Sequence, residues 1–329
     1  MNSPATRPWL TVLNNAPVVL FLLLLAVFGA LSPKFLAPAN LLNILIQASP
    51  TAIVAIGMTF VLLTAGVDLS VGAIMFVVAA VGGKLVLGGA PLLVVLAAMA
   101  GVGLICGVLN AVLVTRLGII AFIATLGTQY LERGFGLWLT ETRAMNLPEH
   151  YTRLASARLA GIPLPLVLLV FVLVLAHGTL RGTPFGRQLY AVGQDLNAAR
   201  KAGVNTRWIL ASVYVIAGIC AALGGILSLA QLGAVAPTFG TNKEFAAIAA
   251  AVLGGTSLFG GRGQVFPGTV LGAVLIQSVE NGLVILNADP YLYPLITSAI
   301  IFLAVLTDSL RSGVLTRLGR RKIRVEETA

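Results

Sequence analysis

Long uncharged stretches, separated by short charged loops, dominate the sequence. No acidic or basic side chain lies between Lys84 and Arg116, or between Arg207 and Lys243. A bilayer core of about 30 Å is crossed by roughly 20 apolar residues in helical form, so each stretch is long enough for a membrane-spanning helix. Because the pattern recurs along almost the whole chain, it predicts a polytopic helical protein whose function operates across or within a membrane.

The predicted fold class is all-α, a single transmembrane bundle of about ten helices (eight to ten) over residues 12–310 with a short cytoplasmic helix. The segments 71–88 and 245–259 are short or interrupted by glycine, and they are candidates for broken or re-entrant helices, whose crossing stays open. Residues 1–11 and the basic tail 311–329 flank the bundle. The predicted spans are 12–31, 43–65, 71–88, 92–115, 118–139, 162–180, 208–232, 245–259, 264–286 and 291–310.

Composition excludes a soluble fold and charge sets an orientation. The sequence is 58% hydrophobic and only 10% charged, whereas globular domains carry about 25% charged residues. About two-thirds of the 21 Lys and Arg residues fall on one side of the predicted topology, which favours cytoplasmic N- and C-termini. The basic residues lie at segment ends rather than on one face, so the net charge of +10 does not indicate nucleic acid.

The sequence offers no catalytic, metal or nucleotide site. Its two cysteines lie in apolar windows, as small buried side chains do, and its two histidines form no ligand cluster. Gly82-Gly83-Lys84-Leu85 lacks the spacing and hydroxyl of a phosphate loop, and the tight turn 260–263 is a weak phosphate cradle. We expect a chain that binds no cofactor and does not hydrolyse ATP.

Two loops are too long and polar to be simple turns. The loop 141–161 is either a solvated connection or a docking surface for an external partner. In the loop 181–207, Asp195 is a good N-cap, Gly203 suits a left-handed C′ position, and Arg200 lies in the last turn, where its charge complements the helix dipole. This predicts a self-capped helix of about two turns, able to receive a push from a soluble partner.

Polar side chains inside apolar windows have two possible roles. Facing other helices they would form interhelical hydrogen bonds, worth about 0.6 kcal/mol on average; as a set they suit a path for a neutral polyhydroxylated solute, since amides donate and accept without charge. Asp68 either caps the next helix with Ser70 or forms a moving gate contact. Glu132 and Arg133 are adjacent and are expected to pair. The amides in question are Gln47, Asn110, Gln129, Gln231, Gln277 and Asn281.

Four sequence blocks resemble the permease subunits of ribose-type sugar ABC importers, a family that includes galactofuranose, rhamnose, polyol and autoinducer-2 permeases. The blocks occur in the family's order and spacing. They read GMTFVLLTAGVDLSVG (57–72), AFIATLGTQYLERG (121–134), GRQLYAVGQDLNAARKAGVN (186–205) and KEFAAIAAAVLGGTSLFGGRG (243–263). Two departures are visible: Ala246 stands where the family usually has Asp, and Gln194-Asp195-Leu196 where it has Gly-Asn-Glu.

The resemblance implies a permease of the bacterial inner membrane that imports a monosaccharide or polyol by alternating access. Its partners would be a second permease copy (identical or paralogous), cytoplasmic ATP-binding subunits that use ATP and Mg, and an external solute-binding protein. The implied ATPase-coupling residues are Gly193, Asp195, Asn197, Ala198, Ala199, Arg200 and Gly203. The path or gate candidates are Gln47, Asp68, Asn110, Gln129, Gln231, Glu244, Gln277 and Asn281.

Two other classes of protein compete with this interpretation. A self-sufficient secondary carrier or channel for a small neutral solute would favour ionisable residues within the membrane and an inverted repeat, neither of which is obvious in the sequence. An intramembrane enzyme would need a nucleophile with a base or a metal cluster, and His177 has no evident partner set.

Overall fold

The computed structural model describes residues 16–289, together with 291–293, 295, 296, 298, 299, 302 and 306. The described part is a bundle of α-helices with four two-residue strands. In the first half of the chain the helices are α1 (Ala16–Leu31), α2 (Pro38–Leu63), α3 (Val71–Leu87), α4 (Leu92–Thr115), α5 (Ala121–Thr140) and α6 (Glu149–Ser156). In the second half they are α7 (Leu164–Gly182), α8 (Pro184–Gln194), α9 (Leu196–Lys201), α10 (Thr206–Leu232), α11 (Lys243–Leu253) and α12 (Val270–Ile285).

The remaining elements are short. A 3₁₀ turn covers Pro33–Leu36, and a π-helical turn over Val265–Thr269 leads into α12. The strands are β1 (Met145–Asn146), β2 (Arg158–Leu159), β3 (Ile162–Pro163) and β4 (Ala234–Val235). They form two antiparallel pairs, β1 with β4 and β2 with β3.

The prediction of a polytopic helical membrane protein is confirmed. Every predicted span up to 264–286 coincides with a helix, and five described helices are long and apolar enough to cross a bilayer: α2, α4, α7, α10 and the helix over Val265–Ile285. The segment 245–259 is helical only as far as Leu253, within the 11-residue α11. Because α11 is about 16 Å long, it does not cross alone. The predicted span 291–310, the first residues of the span 12–31 and both tails lie mostly or wholly outside the described residues.

Helix α10 lies at the centre of the bundle, in contact with α2, α3 and α4. Small residues let α4 and α10 approach closely, because a Cβ atom on Gly107 would lie only 2.8 Å from the Tyr214 carbonyl oxygen. Gly272 of α12 is packed in the same way against the Ala250 carbonyl of α11. The glycine spacings 103–107 and 268–272 therefore mark close helix contacts, as is typical of helices in lipid.

The bundle has two distinguishable ends. At one end, which we call the strand end, β1 pairs with β4, and the Lys84 ammonium lies 3.9 Å from the Glu141 carboxylate. At the other, which we call the short-helix end, α2 ends at Leu63, whose carbonyl accepts a hydrogen bond of 2.9 Å from the Gly261 N–H. Helices α8 and α9 lie at this second end, since Gly193 is packed against Leu63.

Two helices begin inside the bundle rather than at its surface. The non-helical segment 64–70 leads from the short-helix end to the start of α3, and the turn-rich segment 233–242 leads from the strand end to the start of α11. The two starts meet, because Gly72 of α3 packs against the Gly240 carbonyl and the Glu244 carboxylate. Their N-termini therefore lie close together, and from there α3 runs towards the strand end and α11 towards the short-helix end.

Tertiary contacts fix the depth of this meeting point. Met75, one turn into α3, packs against Gly225 of α10. Gly225 is 19 residues from the start of the 27-residue α10, or about 28 Å along a helix of about 40 Å. We call α3 and α11 half-length helices because each covers only the part of the bundle on one side of the meeting point. Helices of this kind, preceded by unwound backbone, are tolerated at membrane depth where protein surrounds the chain.

Candidate functional site

A polar cavity of about 820 Å³ lies in the half of the bundle nearer the strand end. Its walls come from α2 and α12, and its floor comes from the first residues of α11. Among the described residues the lining carries one cation and one carboxylate, and most other members are amides or hydroxyls. The lining residues are Asn43, Gln47, Thr241, Asn242, Lys243, Phe245, Ala246, Gln277, Glu280, Asn281, Val284, Tyr293 and Ser298.

Amide side chains connect α2 and α12 across this cavity. Gln277 Nε2 donates to Gln47 Oε1 at 3.2 Å, and Gln47 Nε2 donates to Asn43 Oδ1 at 3.2 Å. Asn43 and Gln47 are one turn apart and so share a face of α2. Each amide retains donor or acceptor capacity beyond these bonds, which a polyhydroxylated molecule would use.

A second amide pair lies one turn closer to the strand end. Asn40 Nδ2 donates to Asn281 Oδ1 at 2.9 Å, and Asn281 Nδ2 donates back to Asn40 Oδ1 at 3.1 Å. Asn40 also donates to the Phe35 carbonyl at 2.9 Å. Sequence reasoning missed Asn40 and Asn43 because it began the second span at 43; the i, i+3 and i+7 spacing of Asn40, Asn43 and Gln47 was the available signal.

The polar surface continues deeper through a second cavity of about 120 Å³ that shares Gln47 and Lys243 with the first. Here Gln231 Nε2 donates to the Ile46 carbonyl at 2.9 Å. Lys243 Nζ lies 3.4 Å from Thr51 Oγ1, one turn deeper along α2 than Gln47. Lys243 is thus the cationic group at the floor of the polar surface. It was not among the path or gate residues predicted from the sequence.

Below this floor, towards the short-helix end, α2, α11 and α12 close together. Thr59 Oγ1 and Thr269 Oγ1 share a buried hydrogen bond of 2.7 Å, and Gly272 packs against the Ala250 carbonyl. The cavity therefore ends inside the protein, on the strand-end side of this contact.

Asp68 and Asn110 do not line either cavity; they belong to a buried network behind α3. Asp68 Oδ1 accepts from the Ser70 N–H at 2.9 Å and from Ser70 Oγ at 2.6 Å. Asn110 Nδ2 donates to Ser70 Oγ at 2.8 Å, and Thr128 Oγ1 donates to Asn110 Oδ1 at 2.7 Å. Asp68 binds the N–H of Ser70, the residue before α3, and no side chain caps the first N–H groups of α3 among the described residues. The network ties the unwound segment 64–70 to α4 and α5.

Gln129 and Glu244 form a third group beside the meeting point of α3 and α11. Gln129 Nε2 donates to Glu244 Oε1 at 3.2 Å, and the Glu244 side chain covers Gly72. Glu244 is 3% exposed and lies in the first turn of α11, where a carboxylate is favoured by the helix dipole. It therefore fixes the start of one half-length helix against the other.

The expected pairing of Glu132 with Arg133 is wrong, because adjacent helix residues point in different directions. Arg133 Nη1 donates to the Phe239 carbonyl at 2.7 Å, and its guanidinium lies 4.9 Å from the centre of the Phe76 ring. Glu132 faces the other side of α5, where it is buried with no hydrogen-bond partner among the described residues. The acids Asp68, Glu132 and Glu244 are thus inside the bundle, contrary to the expectation that ionisable residues are absent there.

Of the predicted path or gate residues, the structure brings four to the cavities and four to the supporting groups behind them. Gln47, Gln277 and Asn281 line the larger cavity, and Gln231 lines the smaller one. The supporting residues are Asp68, Asn110, Gln129 and Glu244. Ala246, the family departure, lines the larger cavity.

The short helix α9 forms where its capping residues predict it. Asp195 accepts hydrogen bonds from the Asn197 and Ala198 N–H groups at 2.8 and 2.9 Å. At the other end Gly203 has φ +84°, and the Val204 N–H donates to the Ala199 carbonyl at 3.1 Å. This is the Schellman arrangement, in which a glycine takes the left-handed position.

Most of α9 is exposed, including Asn197, Ala198 and Arg200, whereas Ala199 is buried against the bundle. Gly193 is placed differently from the other predicted coupling residues. It lies on α8, covered by the Leu63 carbonyl and the Gly261 N–H. The predicted coupling set therefore divides into an exposed helix and one covered glycine.

Comparison with known proteins agrees with this architecture. A family described as the permease component of the branched-chain amino acid transport system matches residues 40–306. The ribose import permease protein RbsC of Escherichia coli strain K12 is 37% identical over 309 residues, covering 92% of this chain and 95% of the relative. The D-allose transport system permease protein AlsC of the same strain is 38% identical over 296 residues, covering 88% and 90% of the two chains.

A further relative is the fructose import permease protein FrcC of Rhizobium meliloti, which is 36% identical over 304 residues, covering 89% of this chain and 84% of the relative. No solved structure matches. The match of the family over most of the chain, the relatives at this level of identity, and the bundle of apolar helices point to one conclusion. This chain belongs to the family of membrane-embedded transport-system permease components.

Proposed function

We propose that this chain is the transmembrane permease subunit of an ATP-binding cassette importer for a monosaccharide or related polyol. The observation that carries the proposal is the amide-lined cavity between α2 and α12, in a chain whose similar relatives are named for ribose, allose and fructose. The family description mentions branched-chain amino acids, whose apolar side chains would find few partners among Asn43, Gln47, Gln277 and Asn281.

The cavity chemistry suits a neutral sugar. Gln47 and Gln277 bond each other but leave further donors and acceptors, so a sugar hydroxyl replaces water without leaving an unpaired group. A neutral hydrogen bond contributes only about 0.5–1.5 kcal/mol net. Such weak, exchangeable contacts let a solute enter and leave, which is what a conduit requires.

We assign the short-helix end to the cytoplasm. This orientation is supported by the excess of Lys and Arg in the segments that it places in the cytoplasm. The cavity then opens towards the outside and is closed below by the Thr59–Thr269 contact. The cycle would open this contact and close the strand end, so that the solute is exposed to one side at a time.

The energy would come from ATP-binding subunits that grip the exposed face of α9. Its caps lie within its own segment, so the N–H groups of its first turn are satisfied without lipid. ATP and Mg would be used by that partner. A second permease copy, identical or paralogous, and an external solute-binding protein docking at the strand end complete the proposed assembly.

The test is the nucleotide dependence of the assembled transporter. The chain, its ATP-binding subunit and its solute-binding protein are co-purified and placed in nanodiscs, and ATP hydrolysis is measured with a panel of radiolabelled pentoses and hexoses. The proposal expects one sugar to bind the solute-binding protein and to raise ATP hydrolysis severalfold. Stimulation by leucine, isoleucine or valine instead of any sugar would contradict the proposed substrate class.

A secondary carrier is the second candidate, favoured by the buried acids Asp68 and Glu132. Such a carrier would move solute in response to a proton or sodium gradient with no nucleotide. Solute uptake by the purified chain alone, driven by an imposed ion gradient, would favour this candidate over the importer.

A further inference from the structure

We propose that the contact between α8 and the glycine-rich segment 260–263 transmits movement of α9 to the floor of the polar cavity. The proposal rests on the proposed function and adds the route by which force would cross the protein. It assigns Tyr190, Gly193 and Gln194 as positioning residues that act through this segment. None of the three touches either cavity.

Two side chains of α8 bind the segment directly. Tyr190 Oη donates to the Gly263 carbonyl at 2.8 Å, and Gln194 Nε2 donates to the Gly261 carbonyl at 3.4 Å. Burial raises the pKa of Tyr190 above its ordinary value, and the nearby Arg181 charge opposes this rise. The phenol is therefore protonated at neutral pH and available as the donor.

Gly193 brings three stretches of backbone into contact. A Cβ atom there would overlap the Leu63 carbonyl and lie 2.6 Å from the Gly261 N. The Gly261 N–H itself donates to the Leu63 carbonyl at 2.9 Å. Because closely packed backbone cannot be compressed, displacement of Gly193 must displace the end of α2, the segment 260–263, or both.

We call this contact of Leu63, Gly193 and Gly261 the joint. On one side the joint is connected rigidly to α9. Only Asp195 lies between α8 and α9, and its N–H donates to the Ala191 carbonyl at 3.1 Å while its carboxylate caps α9. Both helices thus bond to the same residue. A push on α9 is therefore carried to Gly193 without a flexible linker between them.

On the other side the segment leads to the cavity. Residues 254–263 connect α11 with the turn that begins α12. Helix α11 has 11 residues, and its first residue, Lys243, lines both cavities. Helix α12 carries Gln277 on the cavity wall. A shift of this segment would move the floor and one wall together, over a helix length of about 16 Å.

The other exit from α9 is a poorer route. It leads through Val204 and Asn205 into α10, which packs against α2, α3 and α4 with glycines in direct contact at Gly103 and Gly107. Movement there would have to displace the centre of the bundle. The half-length α11 has fewer neighbours to displace. Movement through the glycine-rich segment therefore requires less of the bundle to move.

The test compares Gly193→Ala with the matched control Gly178→Ala in the complete transporter. Both glycines are helical, but a Cβ atom on Gly178 would have no described atom within 4 Å outside its own helix backbone and its chain neighbours. The readout is the ratio of sugar taken up to ATP hydrolysed in proteoliposomes. Gly193→Ala is expected to lower this ratio at least tenfold and Gly178→Ala by less than twofold. A ratio within twofold of wild type for Gly193→Ala would overturn the proposal.

A second variant covers the case in which Gly193→Ala does not fold. The double variant Tyr190→Phe with Gln194→Ala removes both side-chain hydrogen bonds without adding volume, and Tyr130→Phe, at a site 73% exposed, is its control. We expect the ratio of sugar taken up to ATP hydrolysed to fall threefold to tenfold in the double variant and to stay unchanged in Tyr130→Phe. An unchanged ratio with normal yield would refute the route.

The outcomes separate this inference from the proposed function. Wild-type transporter that shows no nucleotide-dependent uptake of any sugar refutes the function and with it the joint. Wild-type uptake of a sugar, with a ratio that stays unchanged in Gly193→Ala or, where that variant does not fold, in the double variant, refutes the joint alone. Wild-type uptake with a reduced ratio in both variants supports the two proposals together.

Discussion

At the scale of single residues, the interior polar groups divide between support and path. Asp68 is fully buried, and its Oδ1 atom holds both the N–H and the hydroxyl of Ser70. Through Ser70 it reaches Asn110, so one carboxylate oxygen organises three elements of the bundle. This placement favours a stabilising role for Asp68 over a moving gate contact.

Replacing Asp68 by Ala should therefore lower stability rather than transport alone. The substitution leaves the Ser70 N–H without its acceptor inside the bundle, at a cost of about 1–3 kcal/mol for each unsatisfied buried group. We expect a lower yield and a lower midpoint of thermal unfolding in detergent, while Asp68→Asn, which keeps an acceptor oxygen, loses less. Normal yield of Asp68→Ala with abolished uptake would instead identify a gate contact.

For Gln277 we predict the opposite, a loss of transport without a loss of stability, because its side chain lines the cavity. Gln277→Ala should leave folded yield unchanged and lower the initial rate of sugar uptake about twofold to tenfold, the equivalent of one neutral hydrogen bond. The adjacent Ser278→Ala is the control, since the Ser278 hydroxyl donates to the Val274 carbonyl of its own helix and does not line the cavity. Equal uptake by the two variants would remove Gln277 from the proposed path.

The sequence shows which amides lie within apolar windows but not which of them face the cavity. Gln47 and Gln231 lie on cavity walls, whereas Asn110 and Gln129 are equally enclosed by apolar sequence and bond Ser70, Thr128 or Glu244. The difference depends on how α2, α4, α5 and α10 are rotated about their axes. Tertiary packing sets that rotation, and a single apolar window does not contain it.

At the scale of elements, α9 stands out because its stability is local. Its Asp195 cap and its left-handed Gly203 are both within the segment itself. That is why the sequence predicts this helix correctly, residue by residue. The starts of α3 and α11 are different, because the contact of Gly72 with Gly240 joins residues far apart in the chain. No local signal reports that these helices begin inside the bundle.

Removing the cap of α9 should weaken attachment of the ATP-binding subunit. Asp195→Ala removes hydrogen bonds to two backbone N–H groups and costs about 1 kcal/mol of helix stability. We expect affinity for the ATP-binding subunit, measured with both proteins in nanodiscs, to fall about fivefold. Asp289→Ala is a matched control at the strand end, where Asp289 accepts from the Tyr291 N–H at 2.9 Å. Equal effects of the two substitutions would argue against α9 as the docking element.

At the scale of the whole molecule, the half-length helices explain how one bundle can hold a cavity and a closed floor. The start of α11 forms the floor, and its close packing with α12 below seals the path. The sequence predicts the order of the apolar helices up to 264–286, since bilayer thickness fixes the length of a membrane-spanning helix. It marks 245–259 as a candidate broken helix but leaves open where the helix ends, because an apolar glycine-containing stretch does not show where helix gives way to turns; the structure places this end at Leu253.

The account depends on a permease that is passive by itself and is driven from the short-helix end. The most direct measurement is accumulation of a panel of radiolabelled pentoses and hexoses in proteoliposomes, with and without the ATP-binding subunit, ATP and the solute-binding protein. The account predicts accumulation of one sugar above its outside concentration only when all three are present. Accumulation in vesicles that hold this polypeptide alone would contradict it.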